Sequence, residues 1–274
     1  MMFALLLLAA MLSPLERAVA YLTAEVPRWR AENGCFSCHN NGDGARALYQ
    51  AGVPPTSAAL RETTAWLGNP PLWDSNRGDP AVSDKKLARI QFGAALLASG
   101  AKEPICAAAA VIAKDRGADG SWTVDAGSPA TYGTALATYY ARQVLRACGT
   151  DSALTDRWLR ELRPASVVEA AAQLLAVPGH AAAKSYLLRA QGSEGGWGEH
   201  PNLPAQVFDT AVAVIALQRQ GADDAVAKGR AWLLKQQRTE GGWPETTRPP
   251  GAQSYAQHIS TTAWATIALL DAER

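Results

Sequence analysis

Residues 35–39 read Cys-Phe-Ser-Cys-His, inside the polar, glycine-rich stretch ENGCFSCHNNGDG (32–44). Two thiols two residues apart, with an imidazole directly after them, support three chemistries. The first is covalent haem c: Cys35 and Cys38 form thioethers to the haem vinyls and His39 is the proximal iron ligand. The flanking ENG and NNGDG predict the mobile, accessible loop that attachment requires. The methionines are Met1, Met2 and Met11, so a sixth iron ligand comes from His180, His200 or His258, or the iron is five-coordinate. The second is a metal site such as zinc, with one further ligand, although adjacent Cys38 and His39 are awkward on one tetrahedral ion. The third is a structural or redox-active disulfide between Cys35 and Cys38. The complete five-residue pattern is the specific one, which makes haem c the leading expectation.

The elements that must position this stretch are helices. Ser13, Pro14 and Glu16 form a capping box with proline at the first helical position. Ser166 and Glu169 repeat the signature, and Pro178-Gly179 ends that helix. Ser83 starts DKKLARIQFGAALLASG, which Gly100 stops. Further helices are predicted at 103–116, 131–148, 152–162, 180–190, 206–220, 224–237 and 259–272, with shorter ones at 43–51 and 57–67. The total is about twelve, and no convincing strand appears.

Self-similarity organises these helices. YLLRAQGSEGGWGEHPNLPAQVFDTAVAVIAL (186–217) matches WLLKQQRTEGGWPETTRPPGAQSYAQHISTTAWATIAL (232–269), each a helix end, a Gly-Gly-Trp turn, a proline-bearing loop and a Thr-Ala helix start. Degenerate copies occur at 111–140, around Trp122, and at 68–97, around Trp73. Repeats of this size stack because one helix pair cannot bury its own apolar faces. The pattern Tyr186-Leu187, Gln191, Gly195, Trp197 recurs as Trp232-Leu233, Gln237, Gly241, Trp243, and in altered form as Val111-Ile112, Arg116, Gly120, Trp122. It resembles the repeat of the squalene-hopene cyclase and protein prenyltransferase β-subunit superfamily, over residues 60–274. The resemblance implies an all-α fold, an α/α toroid of about twelve helices with an inner and an outer ring around an apolar cavity. Residues 13–274 form it as a single unit. The glutamine amide is expected to stack on the indole and bond the next helix's exposed N–H groups.

The chemistry that the resemblance implies is largely missing. Hopene cyclases protonate an alkene with Asp-x-Asp-Asp-Thr-Ala at the start of an inner helix, and of this only Asp209, Thr210 and Ala211 remain. Asp209 is the candidate catalytic residue, with helix capping the simpler role for a lone carboxylate. Asp223-Asp224 reads as a loop and cap. Prenyltransferases hold zinc with Asp-x-Cys, which does not occur. Cys106 and Cys148 are expected to be small buried apolar residues. His258, just before an inner helix, is positioned to face the cavity.

Across 274 residues, 26 basic groups balance 25 acidic ones with no block of like charge, which excludes nucleic acid as a favoured partner. Four cysteines are too few for a disulfide scaffold. Residues 1–12, MMFALLLLAAML, are too short for a transmembrane span, which needs roughly 20 residues, and match a signal-peptide core with a cleavage region at Ala9-Ala10. Export to the periplasm or outside the cell is expected, or a cytoplasmic location if translation starts at Met11. The sequence therefore predicts a non-cyclising toroid carrying haem c at 35–39, acting in redox or haem-linked binding with a redox partner protein and an apolar isoprenoid or lipid ligand. Two alternatives stay open: a terpene cyclase or prenyltransferase-like enzyme on a polyprenyl substrate, and a non-enzymatic repeat scaffold for protein binding. Covalent haem survives denaturation and gives a pyridine haemochrome spectrum, whereas freely titrating thiols at 35 and 38 would end the haem reading.

Overall fold

The computed structural model describes residues 12–76, 84–124, 132–247, 251 and 254–270. The expected signal segment lies almost wholly outside the described residues, as does Ser83, the expected start of a helix. Asp84 takes the capping role there, accepting from the Leu87 amide at 3.0 Å. The capping box at Ser13 and Glu16 forms in both directions, at 2.7 and 3.2 Å.

Twelve α-helices, one π-helical segment and one 3-10 segment make up the described fold, with no strand among the described residues. They are α1 (Pro14–Asn33), the π segment (Cys38–Gly44) running into α2 (Ala45–Gln50), α3 (Arg61–Leu67), the 3-10 segment (Pro70–Ser75), α4 (Lys85–Ala98) and α5 (Ile105–Ala113). There follow α6 (Gly133–Ala147), α7 (Ala153–Glu161), α8 (Val167–Ala176), α9 (Ala181–Ala190), α10 (Val207–Gln218), α11 (Asp223–Gln236) and α12 (Tyr255–Leu270). Asp223 and Asp224 open α11 instead of preceding it.

The π segment with α2, then α4, α6, α8, α10 and α12, pack each on the next, and α12 returns onto the π segment, closing an inner ring. The intervening helices α1, α3, α5, α7, α9 and α11 lie outside it. The chain is an α/α toroid. Outer α1 buries a stripe of Ala18, Leu22, Glu25 and Val26, the spacing of one helical face. Inner α10 is buried on every side from Val207 to Leu217.

The repeat residues are joints. Trp122, Trp197 and Trp243 each donate the indole N–H to a carbonyl ten residues earlier, at 2.8 Å in every copy. Their backbone amides donate to Thr138, Thr210 and Thr262 on the following inner helix, at 2.9 to 3.0 Å. The Trp73 indole N–H has no hydrogen-bond partner, so that copy keeps the residue without the joint. The glutamines bond carbonyls, not the N–H groups expected: Gln191 Nε2 donates to Gly195 and to Ala225 of α11, at 2.8 and 2.9 Å. Gln237 donates to Gly241 and to Pro14, at 3.0 and 2.8 Å, and its Oε1 accepts from Arg17. The last repeat thereby grips the first helix. Cys106 and Cys148 are not buried apolar residues but a disulfide between α5 and the end of α6, with Cα atoms 4.9 Å apart.

Closure depends on Gly241, whose φ of 102° favours glycine and where a Cβ would lie 2.4 Å from the Arg17 carbonyl oxygen. Gly241→Ala should cost about 3 kcal/mol or more in chemical denaturation. Gly179→Ala, at φ 81° with nothing within 4 Å of a Cβ, should cost only about 1–2 kcal/mol. Equal losses would remove the closing contact as the reason for glycine at 241.

Candidate active site

The stretch that opens the sequence argument is the start of the inner ring. Ser37 caps it, its hydroxyl accepting from the amides of His39 and Asn40 at 3.1 and 3.4 Å. Asn41 Oδ1 accepts the Ser37 amide, and Asn41 Nδ2 reaches Thr63 Oγ1 on α3, both at 2.8 Å. Asn40 Nδ2 donates to the Glu25 carbonyl on α1 and to Tyr255 OH on α12, both at 2.8 Å. Glycine at 42 brings α4 close, since a Cβ there would sit 3.0 Å from that of Gln91. Residues that read as a loop are therefore a π-helix pinned on three sides; π-helical turns inside helices are frequent at functional sites.

This clamping delivers Asp43 to the centre, with no accessible surface. Gln91 Nε2 donates to Oδ2 at 2.8 Å and Tyr132 OH to Oδ1 at 2.9 Å, and the Ser260 hydroxyl stands near enough to favour the carboxylate. Arg46 Nη2 stands 3.8 Å from Oδ1. Burial pushes the Asp43 carboxyl up, so it holds its proton at higher pH than an exposed aspartate. The Arg46 charge, the bonds from Gln91 and Tyr132 and the nearby Ser260 hydroxyl pull the other way, favouring the carboxylate once the proton leaves. Burial also lifts the Tyr132 phenol well above its usual 10, so it stays a donor.

The expected open cavity is filled at this level. Arg46, 1% exposed, lies 4.7 Å from the Tyr140 ring centre and 4.1 Å from that of Trp264. Trp264 meets Tyr132, Tyr140 and Phe208 edge to face at 5.6, 5.7 and 5.3 Å. These side chains come from α2, α6, α10 and α12, so helices that are not neighbours in the ring touch across its middle. Arg46 Nε and Nη2, Gln91 Oε1 and Asn40 Oδ1 are buried without a hydrogen-bond partner. A core built for packing alone avoids that penalty of about 1–3 kcal/mol per group.

Cys38 and His39 lie beside this cluster, ringed by protein yet keeping some accessible surface. His39 Nδ1 is 3.3 Å from Ser260 Oγ and its Nε2 is 3.5 Å from Cys38 Sγ. Burial pushes the His39 imidazole down to about 4 and the Cys38 thiol well above its usual 9, so both are neutral. The loop expected for haem attachment is thus a packed helix whose thiol and ring point at the protein's own groups. Phe36 is stacked on Trp66 at 4.4 Å and bonded through its amide to Asn76, which removes the expected mobility. Cys35 and Cys38 are both free thiols, not a disulfide. Among the described residues no three His, Cys, Asp or Glu side chains form a metal-binding group.

The other histidines are engaged elsewhere. His180 Nδ1 accepts from the Ala183 amide at 3.2 Å, capping α9. His200 Nδ1 lies 2.9 Å from the Ala165 carbonyl. His258 stacks on Tyr21 at 5.8 Å, and its Nδ1 is 3.5 Å from Arg238 Nη1. Asp209 is the third residue of α10 and fully buried; the capping position is Gln206, whose side chain makes no capping bond. Sequence reasoning missed Asp43, Arg46, Gln91, Tyr132 and Ser260. The one available signal was an aspartate between two glycines, inside the stretch already singled out.

No protein-family model and no curated protein matches this sequence. Solved structures match across the chain. An arginine-to-alanine variant of the type II terpene cyclase MstE from Scytonema, bound to its substrate geranylgeranyl dihydroxybenzoate, has a TM-score of 0.64 at 17% identity, covering 94% of this chain and 97% of the other. A protein from Actinoplanes has a TM-score of 0.62 at 17% identity, covering 95% and 99%. An aspartate-to-asparagine variant of MstE with the same substrate has 0.59 at 18%, covering 94% and 97%. The likeness is one of fold, that of a terpenoid cyclase-like toroid.

His39 also sets a pH prediction. Its folded-state pKa, about 4, lies below the unfolded 6.5, so the unfolded chain binds the extra proton and stability falls as pH drops from 6.5 to 4. Between those values His39→Gln should gain up to about 3 kcal/mol relative to the unsubstituted protein. Thermal melts across that range check it, and parallel curves would place the imidazole in water instead.

Proposed function

We propose that the chain is a terpene cyclase-type enzyme that starts cyclisation of a polyprenyl substrate by protonating an alkene, with Asp43 as the acid. The observation that carries this reading is the Asp43 carboxyl, fully buried at the centre of the ring with four polar groups around it. Alkene protonation needs an acid that keeps its proton at working pH and tolerates losing it. Desolvation supplies the first property, and Arg46, Gln91, Tyr132 and Ser260 supply the second. The proton passes from Asp43 to an alkene carbon, leaving a carboxylate beside Arg46 and a carbocation within aromatic walls that exclude water.

The residue types agree with the solved neighbours. MstE variants carrying a replaced arginine or a replaced aspartate hold geranylgeranyl dihydroxybenzoate, and a tyrosine variant is also known. Asp43, Arg46 and Tyr132 bring the same three types together here. The substrate reaches Asp43 by displacing side chains that cover it. The geometry favours this reading over a haem-linked one because Cys38 and His39 direct their polar atoms at Ser260 and each other. No described helix is long and apolar enough to cross a membrane. The Cys106–Cys148 disulfide supports export to an oxidising compartment.

Incubation with squalene and with prenylated aromatic acids tests the proposal. Asp43→Asn should lose turnover about a thousandfold while still binding substrate. Full activity in Asp43→Asn would sink the assignment, and loss in Asp209→Asn alone would move the acid to α10.

A further inference from the structure

Proton transfer from Asp43 leaves one feature of the centre unexplained: the Arg46 guanidinium rests on aromatic faces and not on the carboxyl beside it. We infer that Arg46 is a displaceable occupant of the aromatic cage, which an entering polyprenyl chain pushes off the rings and onto Asp43. The acid thereby gains its full strength only with substrate bound. The inference rests on the proposed acid role of Asp43, and Arg46 is in it a positioning residue that acts through that carboxyl.

Arg46 Cζ lies over the Trp264 ring at 4.1 Å and over the Tyr140 ring at 4.7 Å. Tyr132 and Phe208 back Trp264 edge to face at 5.6 and 5.3 Å, which fixes the indole plane under the cation. The hydrogen bonding is poor by comparison. Nη1 donates to Tyr132 OH at 3.4 Å, a long bond. Nε and Nη2 have no hydrogen-bond partner, although they form the guanidinium edge that pairs side-on with a carboxylate. Nη2 stands 3.8 Å from Asp43 Oδ1, about 1 Å beyond the length of such a bond. Arg46 has thus taken ring faces in place of an acceptor within easy reach, and that acceptor marks a second position for the side chain.

An alkene must lie against Asp43 to be protonated, and the rings nearest that carboxyl are the ones Arg46 now covers. The centre is filled at this level, so the substrate takes the place of the guanidinium. An apolar chain gives the two unpaired donors no acceptor, whereas the Asp43 carboxyl does. Displacement therefore pairs Nε and Nη2 and returns the ring faces to the substrate. The closer positive charge favours the carboxylate, which strengthens the acid at the moment an alkene is in place. Without substrate the charge stays on the rings, and burial holds the proton on Asp43.

Two measurements test it. In protein labelled with nitrogen-15 arginine, the Arg46 Nε–H proton signal, assigned through Arg46→Lys, should lie upfield because it sits over an indole face. Adding squalane or a phytanyl-substituted benzoic acid, saturated probes with no alkene to protonate, should remove that ring shift. A signal that lacks the shift in the free protein, or that neither probe moves, overturns the displacement. In the second measurement Arg46→Ala should bind the same probes about tenfold more tightly, because no cation has to leave the rings. It should also turn substrate over roughly a hundredfold more slowly, lowering KM and kcat together. A residue that only supports the carboxylate would lower kcat with probe binding unchanged, and that result overturns the displacement while leaving Asp43 as the acid. Where the alanine variant does not fold, Arg46→Met makes the same comparison. Turnover that survives Asp43→Asn removes the proposed function, and the Arg46 signal still decides where the guanidinium sits.

Discussion

A carboxyl group with no accessible surface at the centre of a helical ring is the constraint on which the rest of the structure turns. Burying such a charge is unfavourable by several kcal/mol, and only nearby donors or an opposite charge offset it. The adjoining α2 and three sequence-distant elements meet that demand, with Arg46 from α2, Gln91 from α4, Tyr132 from the lead-in to α6 and Ser260 from α12. Packing glycine 42 against Gln91 places the carboxyl within reach of all four. A ring of parallel inner helices is suited to this, because every inner helix can offer one side chain to a common centre.

The scaffold was legible because its joints are local and repeated. The tryptophan in each copy bonds a carbonyl ten residues back, and the glutamine bonds a glycine four residues on, so fixed spacing in sequence records fixed geometry. The Asp43 cluster was not legible because its other members are 3, 48, 89 and 217 residues away, one per element, with no shared spacing. The polar, glycine-rich stretch from 38 to 42 reads as a loop by composition, and tertiary packing overrode that preference to give a π-helix. Cys-x-x-Cys-His matched a covalent attachment pattern by residue type, and nothing in the chain signalled that Cys38 and His39 would face Ser260. Cys106 and Cys148 looked apolar because each lies in a helical stretch, and their pairing is set by how α5 packs on α6.

The repeat is least regular in the copies that supply Gln91 and Tyr132 to the Asp43 cluster. The complete joints belong to the hairpins from α9 to α12, whereas Arg116 replaces the glutamine and reaches the Asp151 carbonyl at 3.4 Å. The Trp73 copy has lost its indole bond, and its ring instead joins Trp66 and Phe92 in an aromatic cluster that also holds Phe36. Local consistency relaxes around functional sites because selection there acts on the site and not on the joint.

The grip of Gln237 on Pro14 and Arg17 spans 223 and 220 residues. A chain emerging from the ribosome folds its first hairpins early, but this contact waits for nearly the whole length. The same delay applies to Ser260, which arrives with the last inner helix. Loop closure over such a span makes ring completion a late event of high contact order. A nascent or truncated chain therefore holds stacked hairpins without a finished centre, and the surroundings of Asp43 are complete only when the two ends of the polypeptide meet.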